Sequence, residues 1–162
     1  MTWRLLIKIE QRQKAIGTVT VAFDRILGRI SYPVHNRLYR LTGGRVGHRS
    51  PAGPMLLLTS TGRRTGVARS HALLYMEREG HYYVVASNGG RSSNPNWLHN
   101  VRHEPNVKVQ AGSRRFDAAA HVLDTEERSV VWPTLTAFYP GWAHYETLTV
   151  RILQVVRLEP KI

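Results

Sequence analysis

The sequence has 162 residues, the length of one domain, and its 42% hydrophobic and 21% charged residues are enough to form a buried core. No apolar stretch approaches the roughly 20 residues that span a bilayer. The absence of cysteine excludes disulfides, thiolate metal ligands and a cysteine nucleophile. The formal net charge of +12 is concentrated in residues 1–70, which hold 13 basic and two acidic residues. Such a charge attracts nucleic acid, an anionic lipid surface or a phosphorylated ligand.

Residues 1–42 predict a basic, amphipathic N-terminal helical arm, because apolar residues at helical spacing are interleaved with arginine and lysine. The arm either packs on the rest of the protein with its charges in water, or lies on a membrane surface with Trp3 as an anchor. The first residues lack a signal-peptide pattern, and the absence of cysteine fits a reducing, cytoplasmic location. The membrane alternative places the protein at the inner face of the cell membrane.

Residues 43–162 predict a unit of short strands and turns. In chain order we expect strands at 55–60, 69–76 and 82–87, a helix at 94–103, a hairpin of 107–110 with 116–123, a helix opened by the capping-box pair Asp124 and Glu127, and a last strand at 150–158. Many antiparallel strands with few helices favour a small α+β barrel with peripheral helices over a doubly wound sheet.

Several common catalytic motifs are absent. The turn at 62–66 lacks the ending of a phosphate-binding P-loop, the glycines at 43, 44 and 47 do not form a dinucleotide fingerprint, and no GxSxG motif is present. His99 and His103 have helical spacing, but Asn100 stands where a zinc protease has glutamate and no third ligand is evident. No metal site is therefore predicted.

Two glycine-rich segments have the composition of a ligand site. TGRRTG at 61–66 places Arg63, Arg64 and Thr65 on a turn, with Arg69 on the next strand, and guanidinium groups suit phosphate and carboxylate oxygens. An ordinary basic hairpin explains this segment equally well. In ASNGG at 86–90, small residues let a flat ring approach the backbone, and the Ser87 hydroxyl is a potential donor.

A third segment carries aromatic residues at a spacing of three. Tyr139, Trp142 and Tyr145 can share one face of a helix. Rings with polar groups suit the half-wet wall of a pocket, and core packing is the alternative.

Taken in order, these segments resemble the deazaflavin-dependent nitroreductase family, the mycobacterial and actinobacterial enzymes that use coenzyme F-420. The resemblance covers about residues 36–160. It is carried by LYRLTGG at 38–44, LLTSTGRRTG at 57–66, VVASNGG at 84–90, NPNW at 94–97, and the Trp132-Pro133 and Tyr139-Pro140 pairs.

The resemblance implies a split β-barrel, related to flavin-mononucleotide-binding oxidases, that transfers a hydride from ring carbon C5 of the reduced coenzyme to a hydrophobic, electron-poor small molecule such as a quinone, enone or nitro compound. It implies that the acidic tail and the ring of the coenzyme are held by Arg63, Arg64, Thr65, Arg69, His71, Ala72, Ala86, Ser87, Asn88, Gly89, Asn96 and Trp97. The implied catalytic residues are Ser87, Tyr145 and Tyr139, and the implied substrate contacts are Leu74, Tyr139, Trp142 and Tyr145.

Three positions depart from the family pattern. Asn88 stands where members commonly have lysine, Leu74 replaces a tyrosine, and Trp142 stands where the nitroimidazole-activating members have tyrosine. These departures argue against nitroimidazole reduction and leave coenzyme binding in place.

Two other functions are compatible with parts of the sequence. A split-barrel protein that binds flavin mononucleotide, haem or deazaflavin without catalysis of its own is the main alternative. Nucleic-acid binding follows from the charge alone, but no recognisable nucleic-acid module supports it.

Overall fold

The computed structural model of the chain describes Tyr39, Leu41, Thr42 and residues 47–161. Apart from Tyr39, Leu41 and Thr42, the predicted helical arm over 1–42 lies outside the described residues, so the arm stays a prediction. The same holds for most of the LYRLTGG segment.

Within the described residues the chain forms seven strands, three α-helices and one 3₁₀ turn. In chain order these are β1 (Arg49–Ser50), β2 (Gly53–Thr61), β3 (Ala68–Arg78), β4 (His81–Val85), the 3₁₀ turn (Asn88–Gly90), α1 (Asn96–His103), β5 (Asn106–Ala111), β6 (Arg114–Val122), α2 (Thr125–Phe138), α3 (Gly141–Thr147) and β7 (Val155–Pro160). No described helix is long and apolar enough to cross a membrane.

Six of the strands close into an antiparallel barrel. The strand order is β2-β3-β4-β7-β6-β5, and β5 pairs again with β2, while β1 pairs only with β2. Closure of the sheet removes most of its exposed edges, which is how small antiparallel proteins avoid edge-to-edge association. The predicted split β-barrel with peripheral helices is confirmed.

The barrel interior is filled by every second residue of each strand. On β2, Leu56 and Leu58 point inward and are fully buried, as the two-residue period of a strand requires. Helix α1 packs Trp97, Leu98 and Val101 into the same core. This helix therefore packs into the barrel core next to the turn that joins β2 and β3.

Two smaller clusters cover the outer face of the barrel. Helices α2 and α3 pack against the outward residues of β3, β4 and β7, and Leu135 of α2 is fully buried in this cluster. Tyr39 packs on Leu57 of β2 and Ala72 of β3. The outer face of β3 thus runs from the helices at one end to Tyr39 at the other.

The starts of α2 and β7 test the predicted boundaries of these elements. The predicted capping box of α2 is confirmed, because Asp124 accepts from the Glu127 N–H at 2.8 Å and the Glu127 carboxylate accepts from the Asp124 N–H at 3.1 Å. The prediction that the last strand begins at residue 150 was wrong. Strand β7 begins at Val155, because Arg151 hydrogen-bonds to the 86–94 loop instead of continuing the sheet.

Candidate functional site

The barrel is split between β3 and β4. These strands pair only from Tyr75–Val84 to Arg78–His81, and β4 ends at Val85. If the same register continued, Ser87 would lie opposite Ala72; instead the chain turns away through the 3₁₀ turn. Residues 68–74 of β3 therefore pair with β2 on one side and, among the described residues, with no strand on the other.

The first glycine segment forms the turn between β2 and β3. The Gly62 N–H donates to the Val67 carbonyl at 2.9 Å, and the Gly66 N–H donates to the Gly62 carbonyl at 2.8 Å. Gly66 has φ of +66°, which favours glycine. Arg64 and Thr65 are exposed on this turn, and Arg63 beside them is half-buried. The predicted basic turn is therefore held by main-chain hydrogen bonds, and it places the guanidinium groups of Arg63 and Arg64 at one end of the barrel.

A buried asparagine holds this turn in place. The side-chain oxygen Oδ1 of Asn100 on α1 accepts from the Arg63 N–H at 3.2 Å, and its side-chain Nδ2 donates to the Ser60 hydroxyl at 3.3 Å. Asn100 is only 5% exposed. In the sequence, Asn100 served only to exclude a zinc motif. Its position three residues after Trp97, on the apolar face of the helix, is the signal that marks a buried polar contact.

His71 carries a buried nitrogen without a partner. Among the described side chains, its Nδ1 atom is the buried polar atom that makes no hydrogen bond. Burial, with a smaller contribution from the nearby Arg69, lowers the pKa of His71, so the imidazole is neutral at pH 7. A neutral ring nitrogen on the split strand is available to a polar ligand atom.

The second glycine segment is held by one arginine. The Arg151 guanidinium donates to the carbonyls of Ala86 (3.1 Å), Ser87 (2.5 Å) and Arg91 (2.8 Å), and to the side-chain oxygen of Asn94 (3.0 Å). All four acceptors belong to the loop that carries Ser87, so Arg151 fixes its path. Arg151 was not among the residues predicted for the site. Arg151 is the one charged residue in the mostly apolar segment VRILQVV at 150–156, and this feature of the sequence could have identified it as a residue with a specific contact.

The loop itself has little freedom. Asn88 adopts φ of +49° and its amide donates to the Ser93 carbonyl at 2.9 Å. A Cβ at Gly90 would lie 2.9 Å from the Leu148 side chain, so glycine is required there for the loop to approach α3. The helix that follows begins at Asn96, whose neighbour Trp97 is buried in the barrel core.

The three aromatic residues and Leu74 meet on the outer face of β3 and β4. The Tyr139 ring lies edge-on to Trp142, with centroids 5.4 Å apart, and 6.5 Å from the Tyr145 ring. Trp142 and Tyr145 are buried on α3, whereas Tyr139 precedes that helix and is half-buried with Leu74 against the same cluster. Leu74 and Ala72 are two residues apart on one face of β3, so the predicted substrate and coenzyme residues adjoin along this strand.

A separate cavity of about 550 Å³ opens on the outer side of β2, β5 and β6. It contains none of the predicted site residues; its lining is Leu41, Leu57, Thr59, Lys108, Val109, Gln110, Arg115, Phe116 and Asp117. No group of three His, Asp or Glu side chains that could hold a metal ion occurs in the described part of the chain.

Comparison with known proteins agrees with this arrangement. Residues 31–160 match the family described as "F420H(2)-dependent quinone reductase". A protein of Mycobacterium tuberculosis with that name is 34% identical over 139 residues, which cover 83% of this chain and 93% of the relative. A second relative from the same species, described as a putative quinone reductase of this type, is 33% identical over 115 residues, or 71% of this chain and 96% of its own length.

Solved structures support the same relationship. A structure described as an "F420-H2 Dependent Reductase" is 38% identical, covers 65% of this chain and 94% of that one, and superposes with a TM-score of 0.61. A domain-swapped dimer that is 35% identical covers 78% of this chain and 96% of that one, with a TM-score of 0.63. The resemblance found in the sequence is therefore confirmed: the chain belongs to the F420H(2)-dependent quinone reductase family.

Proposed function

We propose that this protein is an oxidoreductase that uses reduced coenzyme F-420 to reduce a quinone. Membership of the quinone reductase family, over most of the chain, is the observation that carries this proposal. Conjugated enones and nitro compounds, which are also electron-poor, are secondary candidate acceptors. When bound, the reduced deazaflavin supplies a hydride from its ring carbon C5.

The residues present fit this coenzyme. Its phosphate and glutamate tail is acidic, and Arg63, Arg64 and Arg69 lie on or next to the β2–β3 turn. The small residues Ala72 and Ala86 flank the split, where a flat ring needs close approach to the backbone. The unpartnered Nδ1 of His71 adds a polar atom that a bound ligand would satisfy. We assign the tail to the turn and the ring to the split beside Ser87, with Thr65, Asn88, Gly89, Asn96 and Trp97 completing the proposed set.

The protein itself contributes orientation, a dry site and hydrogen bonds. We propose that the Ser87 hydroxyl holds the ring system, because Arg151 fixes the Ser87 backbone. We further propose that Tyr145, with Tyr139 second, donates a hydrogen bond or proton to the acceptor oxygen as negative charge develops. We also propose that Leu74, with the buried Trp142 packed in the same cluster behind it, supplies the apolar wall against which a planar acceptor packs.

The test is anaerobic oxidation of reduced F-420 by menadione, together with fluorescence titration by F-420, flavin mononucleotide and haem. We expect menadione to oxidise the coenzyme much faster than a protein-free control, and F-420 to bind more tightly than either alternative. Tight binding of haem or flavin mononucleotide without turnover would replace this proposal with a binding function.

Replacing Tyr145 with phenylalanine is expected to lower kcat for menadione by about tenfold, since one neutral hydrogen bond contributes about 1 kcal/mol or slightly more. The measurement is steady-state turnover at saturating coenzyme. Tyr83→Phe removes a hydroxyl from the same buried cluster on β4 and is the matched control. Equal kcat values for the two variants would contradict the role of Tyr145.

A further inference from the structure

The segment between α3 and β7 exposes large apolar side chains beside the proposed site. Leu148 is 49% exposed, Val150 105% and Ile152 55%. Leu148 lies against Gly90 of the loop that carries Ser87. Exposed apolar residues are ordinary when scattered, but three within five residues concentrate apolar surface that costs free energy in water.

The two chain segments that meet at these side chains are basic and contain no carboxylate. Residues 86–103 and 147–154 contain no aspartate or glutamate and include Arg91, Arg102 and Arg151. The two segments are joined, because Arg151 donates to the Arg91 carbonyl at 2.8 Å and Arg102 donates to Gln154 at 3.1 Å. We call the exposed side chains of Leu148, Val150, Ile152, Arg91 and Arg102 the 148–152 surface.

The nearest carboxylate in sequence does not counter this charge. Glu146 is paired with Arg128 at 2.5 Å, and Arg128 also donates to the Leu153 carbonyl at 2.9 Å. Apolar side chains between cationic ones match the interface of an anionic bilayer, where the side chains enter the headgroup region and each cation gains attraction to lipid phosphate.

We propose that the 148–152 surface contacts an anionic lipid bilayer. This inference rests on the proposed function, since quinones are apolar and concentrate in membranes. Because Leu148 and Arg151 contact the loop that carries Ser87, contact through this surface would bring the proposed acceptor side of the barrel next to the lipid.

The experiment uses the full chain without coenzyme, and its outcome is therefore independent of catalysis. The sequence has no cysteine, so Val150→Cys can be labelled at a single position with an environment-sensitive fluorophore. Val130→Cys is the matched control: it is 70% exposed on α2 but follows the acidic pair Glu126 and Glu127. The probes are vesicles of phosphatidylcholine with phosphatidylglycerol, and vesicles of phosphatidylcholine alone.

We expect anionic vesicles to shift the emission of the label at position 150 to the blue, and spin-labelled lipid to quench it, with neither change at position 130. Affinity for phosphatidylcholine vesicles should be at least about tenfold lower, because each of the basic residues contributes about 1 kcal/mol at an anionic surface. Both results would support a lipid-contacting surface.

Three outcomes would overturn the proposal. If the protein binds vesicles while the label at 150 stays in water, another part of the chain, such as residues 1–42, makes the contact. A blue shift without vesicles that grows with protein concentration would show that a second copy covers the surface. Equal shifts at 150 and 130 would show unspecific adsorption.

A second measurement separates this proposal from the proposed function. In the V150S/I152S variant, turnover of menadione in solution should match the unchanged protein, whereas turnover of a long-chain quinone in anionic vesicles should fall at least severalfold. Loss of both activities would contradict a surface that acts apart from the catalytic site. Retention of both would contradict the lipid contact.

Discussion

Replacing both Arg63 and Arg64 with glutamine is expected to weaken the binding of coenzyme F-420 by about a hundredfold or more. A hydrogen bond to a charged group contributes about 1.5–3 kcal/mol, and about 1.4 kcal/mol corresponds to a tenfold change in Kd. Two such contacts to the acidic tail, on the β2–β3 turn, account for the expected loss. The measurement is fluorescence titration with F-420 and with the deazaflavin that lacks the phosphate and glutamate tail.

The tail-less compound distinguishes this explanation from general damage. Its affinity should not change, because the ring is assigned to the split and not to the turn. Arg78→Gln combined with Lys161→Gln removes the same charge from two exposed positions outside the site and should leave both affinities unchanged. If F-420 binds the Arg63 and Arg64 variant as tightly as the unchanged protein, the assignment of the tail to the turn is wrong.

Replacing Arg151 with methionine is expected to lower both stability and turnover. The change removes four hydrogen bonds to the loop that carries Ser87, and the loss of such a network costs about 2–4 kcal/mol. In the folded fraction, kcat for menadione should fall about tenfold or more, because Ser87 loses its fixed backbone. Urea unfolding and steady-state kinetics measure the two effects.

Two further variants separate the role of the guanidinium group from its charge. Arg151→Lys keeps the charge but not the planar set of donors, so we expect it to retain part of the stability that Arg151→Met loses and to leave kcat low. Arg102→Met removes an arginine with one hydrogen bond in the neighbouring segment and should change neither quantity by much. A folded Arg151→Met protein with unchanged kcat would show that the loop needs no such support.

The strands and hairpins were predictable because their residues carry local signals. Two glycines, at 62 and 66, indicate the basic turn between β2 and β3. The capping-box pair Asp124 and Glu127 indicates the start of α2. The predicted strand at 82–87 ends at Val85 in the structure, and the last strand starts at Val155. Both boundaries depend on Arg151, whose partners lie about 60 residues away in sequence, so no local pattern defines them.

The buried polar contacts were the least predictable part of the site. Asn100 and Arg63 are 37 residues apart, and nothing near either residue indicates that α1 packs under the turn. The spacing of the aromatic residues correctly grouped them in one cluster, but it did not distinguish a pocket wall from a core. In the structure Trp142 and Tyr145 pack into the helical core, whereas Tyr139 and Leu74 border it. Periodicity reports which residues share a face; which neighbour covers that face depends on tertiary packing.

The early end of β4 has a consequence for recognition by the main chain. Along residues 68–74 of β3, the N–H and C=O groups of every second residue point away from β2, toward the side where β4 no longer pairs with β3. The pyrimidine part of a deazaflavin has alternating carbonyl and N–H groups along its edge. Such an edge can hydrogen-bond to these main-chain groups in the way that a neighbouring strand would. Contacts of that kind are indifferent to side-chain identity, and they would persist among relatives whose surrounding residues have diverged.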